Sequence, residues 1–270
     1  METFRELRKF PLTDRVLLYI KNKIKAFLSV FNLEIRRNFL SEKFLFPVDC
    51  TEFERSTILL AKKYSMTPYE RLWALTYATK YVRTKKIPGA FVECGVWKGG
   101  NLILLSLLNE HYGEKRKIYG FDTFTGMTEP TEYDQDIWGE SAENILRNSV
   151  YKDGELSIHC FASLNLVKTI FKENNAPNID LVVGDVKDTL MVPENLPTSI
   201  SILRLDTDWY ESTKIELEVL YPLLEPGGVL IIDDYGHWSG SRKAVDEYFE
   251  GKNPFMFPVD NDCRMIIKEK

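Results

Sequence analysis

The sequence predicts a doubly wound α/β fold, with a mostly parallel sheet between layers of helices and a helical appendage before it. Two observations predict this class. Short apolar runs alternate with longer amphipathic stretches from residue 67 onward, which is typical of β-α-β units. Five of the apolar runs end in acidic residues, and the carboxyl ends of parallel strands meet at one edge of a sheet, where ligands bind. The fold class therefore already indicates where a site would lie.

The composition is that of an ordinary globular protein. Its 270 residues are 44% hydrophobic and 28% charged, which suffices for one large domain with an appendage. A net charge of −5 argues against nucleic acid as a partner. Cys50, Cys94, Cys160 and Cys263 form no C-x-x-C pair, which fits a reducing compartment and argues against a thiolate zinc site. Without a secretory signal or an apolar run of ~18 residues, we expect a cytoplasmic protein.

We expect residues 1–60 to form the helical appendage and residues 61–270 the main domain. Residues 1–40 carry nine basic and four acidic residues. Six apolar residues recur there on one helical face: Leu17, Ile20, Ile24, Phe27, Leu28 and Phe31. This face predicts packing on the domain or on a second subunit of a homo-oligomer, for instance a dimer. The alternative is contact of residues 17–31 with a membrane surface.

The main domain is predicted to open with a helix that begins at Thr67. The segment Thr67-Pro68-Tyr69-Glu70 has the form of a capping box, with threonine as the N-cap, proline at the first helical position and glutamate at the third. The inward face consists of Leu72, Leu75, Thr79 and Val82. Residues 41–65 show no clean period. A cap at Thr67 could lie over the glycine turn that follows the first strand.

That first strand, residues 91–94, runs into a turn rich in glycine and then into an apolar helix from residue 101. Glycine permits positive φ and close approach of a ligand to the backbone. The helix N-terminus offers free N–H groups to an anion. Glu93 followed by Gly95 suits a ligand with an amino-acid portion, such as S-adenosylmethionine, although a plain tight turn is an alternative. The spacing is not the G-x-G-x-x-G of dinucleotide-binding folds.

A second strand, residues 117–121, ends in Asp122. An acid in this place can accept hydrogen bonds from ribose hydroxyls. The segment that follows, to residue 140, contains Thr123, Phe124 and Gly126 and has no period, which indicates a functional loop or lid. An ordinary surface loop is the alternative.

The remaining elements continue the alternation of strands and helices. Strands are predicted at residues 179–183, 201–205 and 229–232, helices at 141–149, 164–173, 212–224 and 241–250, and a closing hairpin at 255–259 and 264–267. Proline and glycine at positions 226–228 are expected to end the helix of residues 212–224. The sequence contains no internal repeat.

Six acids collect at the predicted strand ends: Glu93, Asp122, Asp185, Asp206, Asp233 and Asp234. Such a cluster would be strongly repulsive unless cations were present. Asp206, Asp233 and Asp234 offer the oxygen ligands that Mg²⁺ accepts. For Asp185 or Asp208 taken singly, helix capping explains the residue equally well. His237 is either a loop residue or a neighbour of the active site, and no hydrolase or kinase motif is present.

Together these motifs resemble the macrocin O-methyltransferase family. The segments that carry the resemblance, between about residues 64 and 250, are Met66-Thr67-Pro68-Tyr69-Glu70-Arg71, Phe91-Val92-Glu93-Cys94-Gly95-Val96-Trp97-Lys98-Gly99-Gly100, Phe121-Asp122-Thr123-Phe124-Thr125-Gly126-Met127, Gly184-Asp185-Val186, Leu203-Arg204-Leu205-Asp206-Thr207-Asp208-Trp209-Tyr210-Glu211-Ser212-Thr213 and residues 227–235.

The resemblance implies a seven-stranded class I methyltransferase sheet, S-adenosylmethionine as donor and a divalent cation such as Mg²⁺. By position, Glu93 and Gly95 would meet the methionine portion of the donor and Asp122 its ribose. The remaining cofactor-binding candidates are Thr67, Thr123, Phe124, Gly126, Asp185 and Val186. The implied metal ligands are Asp206, Asp233 and Asp234.

We therefore predict an O-methyltransferase that acts on a hydroxyl of a sugar, in a glycoconjugate or a secondary metabolite. Its partner is a small-molecule or glycan acceptor. Alternatives are a methyltransferase for phenols or catechols, a non-catalytic module that keeps the fold, and a nucleotide-dependent dehydrogenase. Related catechol enzymes place a lysine base where this chain has Trp209. The predicted catalytic residues are therefore Asp206, as ligand and base together, and His237, with Asp208 as a further candidate.

Overall fold

The computed structural model describes residues 46–269. The predicted apolar face and membrane contact of residues 17–31 lie outside this range, and the domain boundary at residue 60 stays a prediction. Within the described range, no helix combines the length and apolar character needed to cross a membrane.

The described chain alternates strands and helices, as expected. Its helices are α1 (Glu52–Lys62), α2 (Tyr69–Thr84), α3 (Gly100–His111), α4 (Ala142–Arg147), α5 (Leu164–Glu173), α6 (Val186–Thr189), α7 (Tyr210–Leu220) and α8 (Ser239–Tyr248). Its strands are β1 (Ala90–Cys94), β2 (Ile118–Asp122), β3 (Ile179–Val183), β4 (Ile200–Leu205), β5 (Leu224–Ile232), β6 (Met256–Pro258) and β7 (Arg264–Ile267). Short 3-10 turns occupy Pro193–Asn195 and Tyr221–Leu223.

The seven strands form one sheet in the order β3-β2-β1-β4-β5-β7-β6. Strands β1 to β5 pair in parallel, whereas β7 runs antiparallel to both β5 and β6. This confirms the doubly wound, mostly parallel class and the closing hairpin. The strand order reverses between β1 and β4, and in open α/β sheets the crevice at that switch point is where ligands bind.

The inner strands are apolar because helices cover both faces of the sheet. Every residue of β1 and β4 is buried. Backbone hydrogen bonds extend the ladder past the strand ends: Gly95 N–H donates to Phe121 O, Asp206 N–H to Cys94 O and Asp233 N–H to Leu205 O, each at 2.9 Å. These bonds bring the acidic strand ends to one edge of the sheet.

Helix α1 was not predicted as an element of its own, because residues 41–65 lack a clean apolar period. Its buried residues are spaced as a helix requires, but Glu54 and Thr57 alternate there with Ile58 and Ala61 and hide the pattern. The helix also begins with a capping box. The Thr51 hydroxyl accepts from the Glu54 N–H, and the Glu54 carboxylate accepts from the Thr51 N–H at 2.8 Å.

The capping box predicted at Thr67 is wrong. Helix α2 begins one residue later, with Pro68 as its N-cap and with no side-chain cap bond from within the described chain. The Thr67 hydroxyl accepts instead from Asn101 Nδ2 and from Arg204, at 3.2 Å each. Two buried polar groups need an acceptor there, and that requirement outweighs the local capping preference. The predicted inward face is confirmed, since Leu72, Leu75, Thr79 and Val82 are all buried.

Two boundaries near the fourth and fifth strands also differ from prediction. Helix α7 ends at Leu220, and β5 already begins at Leu224, which pairs with Ile200. The expected stop at residues 226–228 lies inside that strand. Gly227 adopts a φ of 83° and its N–H donates to Lys268 O at 2.7 Å, so the strand passes through an irregular stretch instead of starting after it.

Candidate active site

A cavity of about 470 Å³ lies at the carboxyl ends of β1, β2, β4 and β5. The predicted site residues that line it are Thr67, Gly95, Asp122, Thr123, Gly126, Asp185, Val186, Asp206, Asp233 and Asp234. Three other predicted residues, Glu93, Phe124 and His237, do not line it. The sheet edge thus gathers most of the predicted residues into one chamber.

The glycine turn after β1 adopts the left-handed conformations that its sequence allows. Gly95, Trp97 and Gly99 have φ values of 85°, 48° and 82°. A side chain at Gly95 would have no room, because a Cβ there would lie 1.9 Å from the carbonyl oxygen of Asp206. The turn therefore packs directly on the backbone that carries the first metal candidate.

Asp122 holds the glycine turn in place. One of its carboxylate oxygens accepts from the N–H groups of Val96 and Trp97, at 2.7 and 3.0 Å, and the other accepts from Phe124 N–H at 2.7 Å. Burial raises the pKa of Asp122, although the three N–H donors oppose that rise. Phe124 itself is buried beside the cavity and, with a φ of 52°, turns the chain toward the loop.

Glu93 lies beneath the cavity within a buried polar network. Its Oε1 accepts from Asn101 Nδ2 at 2.8 Å and from Arg204 at 2.7 Å. Its Oε2 is buried and has no hydrogen-bond partner among the described residues. Burial raises the pKa of Glu93 to about 7, while the Arg204 guanidinium opposes the shift. Asn101 lines the cavity and donates to both Glu93 and the Thr67 hydroxyl, so it connects the buried carboxyl to the cavity wall.

Three carboxylates converge on one point of the cavity wall. Asp206, Asp208 and Asp234 each offer an oxygen, and these oxygens lie within 4.8 Å of one another. Asp208 has a φ of 69°, a left-handed conformation that is uncommon outside glycine. Within residues 46–269 nothing hydrogen-bonds to Asp234 Oδ2, which is buried. Burial is the main cause that raises the pKa of all three groups, that of Asp208 to about 7.

Asp233, predicted as a metal ligand, is placed differently from this trio. Both of its oxygens form ion pairs, one with Arg71 and one with Arg204. Arg71 continues to Asp260, at 2.6 Å, and to Asp262, at 3.0 Å, in the hairpin between β6 and β7. Asp233 thus neutralises two buried arginines, and Asp208 takes the position beside Asp206 and Asp234.

The sequence analysis missed three residues of this network: Arg71, Asn101 and Arg204. Arg204 could have been noticed in the sequence, because a charged residue interrupts the otherwise mostly apolar run of β4. In the structure its side chain is 2% exposed, and a charged side chain is buried so completely only when it is paired. It donates to Asp206 at 2.6 Å as well as to Glu93 and Asp233. Neither Arg71 nor Asn101 stands out from a helical pattern by residue type alone.

The segment between β2 and α4 is irregular, as expected for a loop or lid, and it is anchored at two points. Asp134 is fully buried, and its carboxylate accepts from Tyr210 N–H at 2.8 Å and from Thr131. The second anchor is Trp209, which donates its indole N–H to Thr128 O at 3.0 Å. Its ring packs edge-on against Trp238, with the centroids 4.9 Å apart.

Two further predicted residues have structural contacts of their own. His237 contacts the rings of Trp138 and Trp238 edge-on, at centroid distances of 6.3 and 4.9 Å. Asp185 caps helix α6, because its side chain accepts from Lys187 N–H at 2.9 Å. Asp185 lines the cavity nevertheless, together with Val186.

The chain is similar to several known proteins. The family model described as macrocin O-methyltransferase (TylF) matches residues 60–265. The chain is 32% identical to the 8-demethyl-8-(2,3-dimethoxy-alpha-L-rhamnosyl)-tetracenomycin-C 4'-O-methyltransferase of Streptomyces olivaceus, over 68% of this chain and 67% of that protein. It is 31% identical to the demethyldecarbamoylnovobiocin O-methyltransferase of Streptomyces niveus, over 70% of this chain and 68% of the relative.

Solved structures agree with these sequence matches. The O-methyltransferase NovP superposes with a TM-score of 0.64 at 26% identity, covering 77% of this chain and 83% of NovP. The calicheamicin methyltransferase CalS11 superposes with a TM-score of 0.54 at 21% identity, over 80% of this chain and 93% of that one. The second match bears on the fold alone.

Proposed function

The chain belongs to the macrocin O-methyltransferase family, and from that premise we propose that it transfers a methyl group from S-adenosylmethionine to a sugar hydroxyl of a secondary metabolite. We propose further that a divalent cation, such as Mg²⁺, assists the transfer. The observation that carries the proposal is the meeting of three carboxylates in the same cavity as the glycine turn and Asp122. The two curated relatives described above carry names of O-methyltransferases, and the first name specifies a rhamnosyl group.

The donor would lie along the turn after β1. Gly95 leaves the backbone open at that point, and Asp122 and Asp185 line the cavity beyond it. The carboxylate of Asp122 is already oriented by three backbone N–H donors, so it is rigid enough to receive a ribose hydroxyl. Glu93 would act from beneath, because it fixes Asn101 and Arg204 while Thr67 faces the cavity.

The cation would be held by Asp206, Asp208 and Asp234. Carboxylate oxygens are the ligands that Mg²⁺ and related hard cations prefer. The buried Asp234 Oδ2 lacks a partner within the described chain, and a cation would satisfy this costly unpaired acceptor. Asp233 lines the same cavity but would support the site without binding the cation, since Arg71 and Arg204 occupy both its oxygens. When bound, the cation would stabilise the charge that develops on the acceptor oxygen.

The transfer is a single displacement. The acceptor oxygen forms a bond to the methyl carbon while the carbon–sulfur bond breaks, S-adenosylhomocysteine leaves, and the hydroxyl proton passes to a carboxylate. Asp208 is the favoured proton acceptor, because Arg204 donates to Asp206 at 2.6 Å and so occupies one of its oxygens, whereas Asp208 forms no ion pair with an arginine of the described chain. The protein contributes mainly orientation and a placed base.

Ligand titration tests the donor part of the proposal. S-adenosylhomocysteine should bind the purified protein and raise its melting temperature, and a ligand at 100 times its Kd adds about 2.7 kcal/mol of stability. NAD should leave the melting temperature unchanged. A shift with NAD and none with S-adenosylhomocysteine would refute the donor assignment.

A turnover assay tests the cation part of the proposal. Removal of the cation by EDTA should abolish turnover, and added Mg²⁺ should restore it.

A further inference from the structure

One buried carboxyl group near the site has no part in the transfer described above. Glu216 lies on α7 with none of its surface exposed, on the opposite side of β1 from Glu93. Successive residues of a strand face opposite sides of the sheet, so Glu93 meets Arg204 on one side while Cys94 faces Glu216 on the other. Burying an acid away from any cation is costly, and such a residue calls for an explanation.

Glu216 forms a hydrogen bond with the turn that carries two of the proposed cation ligands, Asp206 and Asp208. Its Oε1 accepts from the Thr207 hydroxyl at 2.9 Å, and Thr207 stands between Asp206 and Asp208. Its Oε2 is buried and has no hydrogen-bond partner in the part of the chain that the structure describes. Burial raises the pKa of Glu216 to about 8, which favours the protonated carboxyl over the carboxylate.

Thr207 is held from its backbone side as well. Its carbonyl oxygen accepts from Trp209 N–H at 2.8 Å and from the Ser212 hydroxyl at 3.3 Å. The residue that follows, Asp208, is in the left-handed region. A non-glycine residue stays in that conformation only when its surroundings hold it there. The hydrogen bonds to Thr207 stabilise this conformation, because they fix the position of the residue that precedes Asp208.

We propose that Glu216 is a positioning residue, which holds Thr207 so that Asp206 and Asp208 aim their carboxylates at the same point of the cavity. This inference rests on the proposed cation site. Glu216 acts through the hydrogen bond that it accepts from Thr207, so a side chain that keeps an acceptor at the same length should replace it. Residues that orient metal ligands typically change metal affinity by 10- to 100-fold when altered, and we expect an effect of about 10-fold because Thr207 stands between Glu216 and the ligands.

Manganese titration of four variants tests the proposal, with free Mn²⁺ followed by electron paramagnetic resonance. Glu216→Gln keeps the acceptor, whereas Glu216→Met has similar length and no acceptor. Thr207→Ser keeps the hydroxyl, whereas Thr207→Val replaces it with a methyl group of similar shape. We expect Glu216→Met and Thr207→Val each to weaken Mn²⁺ binding about 10-fold, with no further loss when combined. The two conservative variants should bind like the wild type.

Titration of the same proteins with S-adenosylhomocysteine separates positioning from a general loss of structure. Donor affinity should be unchanged in all four variants. If Glu216→Met fails to fold, its donor affinity also falls, and the pair at Thr207 then decides the question. Wild-type affinity for Mn²⁺ in Thr207→Val, or equal losses in Glu216→Gln and a folded Glu216→Met, would overturn the inference. A wild-type protein that does not bind Mn²⁺ would refute the cation site itself, before any variant is compared, and the inference with it.

Discussion

At the residue scale, the roles of individual acids depend on the cations around them. Asp206, Asp233 and Asp208 are close in the chain or across adjacent strands, yet two of the three are paired with arginine. Asp208 meets no arginine in the described chain, and one of its carboxylate oxygens lies within 4.8 Å of oxygens of Asp206 and Asp234. The neighbouring charges therefore divide the cluster into supporting groups and a group that can exchange a proton with the acceptor.

The first prediction separates Asp208 from His237. Asp208→Asn nearly preserves the shape of the side chain and should lower turnover at least ~100-fold, because it removes the proton acceptor and one oxygen ligand. S-adenosylhomocysteine should still bind. His237→Ala should retain most of the activity, since His237 contacts Trp138 and Trp238 outside the cavity. Steady-state kinetics with both variants checks this, and an inactive His237→Ala beside an active Asp208→Asn would assign the base to the histidine.

The second prediction concerns the pH dependence of stability. The pKa of Glu216 is raised from 4.5 to about 8 by burial. The folded protein therefore keeps this proton between those two pH values, while the unfolded chain releases it. The stabilisation from Glu216 is complete below pH 4.5 and declines as the pH rises toward 8. Glu216→Gln removes that decline. The melting temperature of the variant minus that of the wild type should therefore increase by a few degrees as the pH rises from 5 to 8.

Glu218→Gln is the matched control for this measurement. Glu218 lies on the same helix but is exposed to solvent. Its replacement should leave the difference from the wild type nearly constant with pH. A Glu216→Gln variant whose melting temperature follows that of the wild type at every pH would show that this carboxyl does not retain its proton.

Much of the site could be predicted residue by residue, because acids after apolar strands have few structural explanations. The sequence could not reveal which acids are neutralised. Asp233 and Asp234 are adjacent and of the same type. They differ in their tertiary contacts, because Asp233 pairs with Arg204 and with Arg71, which is 162 positions away. Asp208 appeared as a capping candidate because its left-handed backbone conformation cannot be inferred from its neighbours in the chain.

At the scale of elements, the turn after β1 joins the proposed donor site to the proposed cation site. Gly95 has a positive φ and packs against the carbonyl oxygen of Asp206. A substituent at Gly95 must push the end of β1 away from the end of β4. The damage should therefore reach both halves of the site.

The third prediction compares Gly95→Ala with Gly113→Ala. Both glycines have positive φ, 85° and 68°, so both substitutions incur the conformational cost of about 1–2 kcal/mol for a left-handed residue. A Cβ at Gly113 meets nothing within 4 Å, whereas one at Gly95 overlaps the Asp206 backbone. Gly95→Ala should be clearly less stable and should bind S-adenosylhomocysteine at least ~10-fold more weakly, which thermal melts and calorimetry can check. Equal behaviour of the two variants would contradict the close packing.

Two of the elements that the sequence analysis misplaced carry polar residues at buried positions. Helix α1 buries Glu54 and Thr57, so its period was hidden. Thr67 has the sequence of a capping residue but serves Asn101 and Arg204 instead. The strands and the apolar helices were placed well, since burial on both faces leaves a continuous apolar run that few other structures require.

At the scale of the whole molecule, the order of the strands determines where the chemistry can occur. The reversal between β1 and β4 opens one crevice, and the hydrogen bonds beyond the strand ends place the glycine turn, Asp206 and Asp233 around it. The same arrangement explains why a sequence pattern was informative about the site. It was less informative about the acceptor, because the loop after β2 has no periodic constraint and its side chains depend on anchors such as Asp134.

The most direct test of the proposed function is to locate the methyl group on the product. The purified protein would be incubated with S-adenosylmethionine and a panel of glycosides whose sugars bear free hydroxyls, with EDTA and with EDTA followed by excess Mg²⁺. Tandem mass spectrometry would assign the added methyl group to the sugar or to the aglycone. We predict methylation of the sugar fragment, its loss in EDTA and its recovery with Mg²⁺. Methylation confined to a phenol of the aglycone, or full turnover in EDTA, would contradict the proposed function.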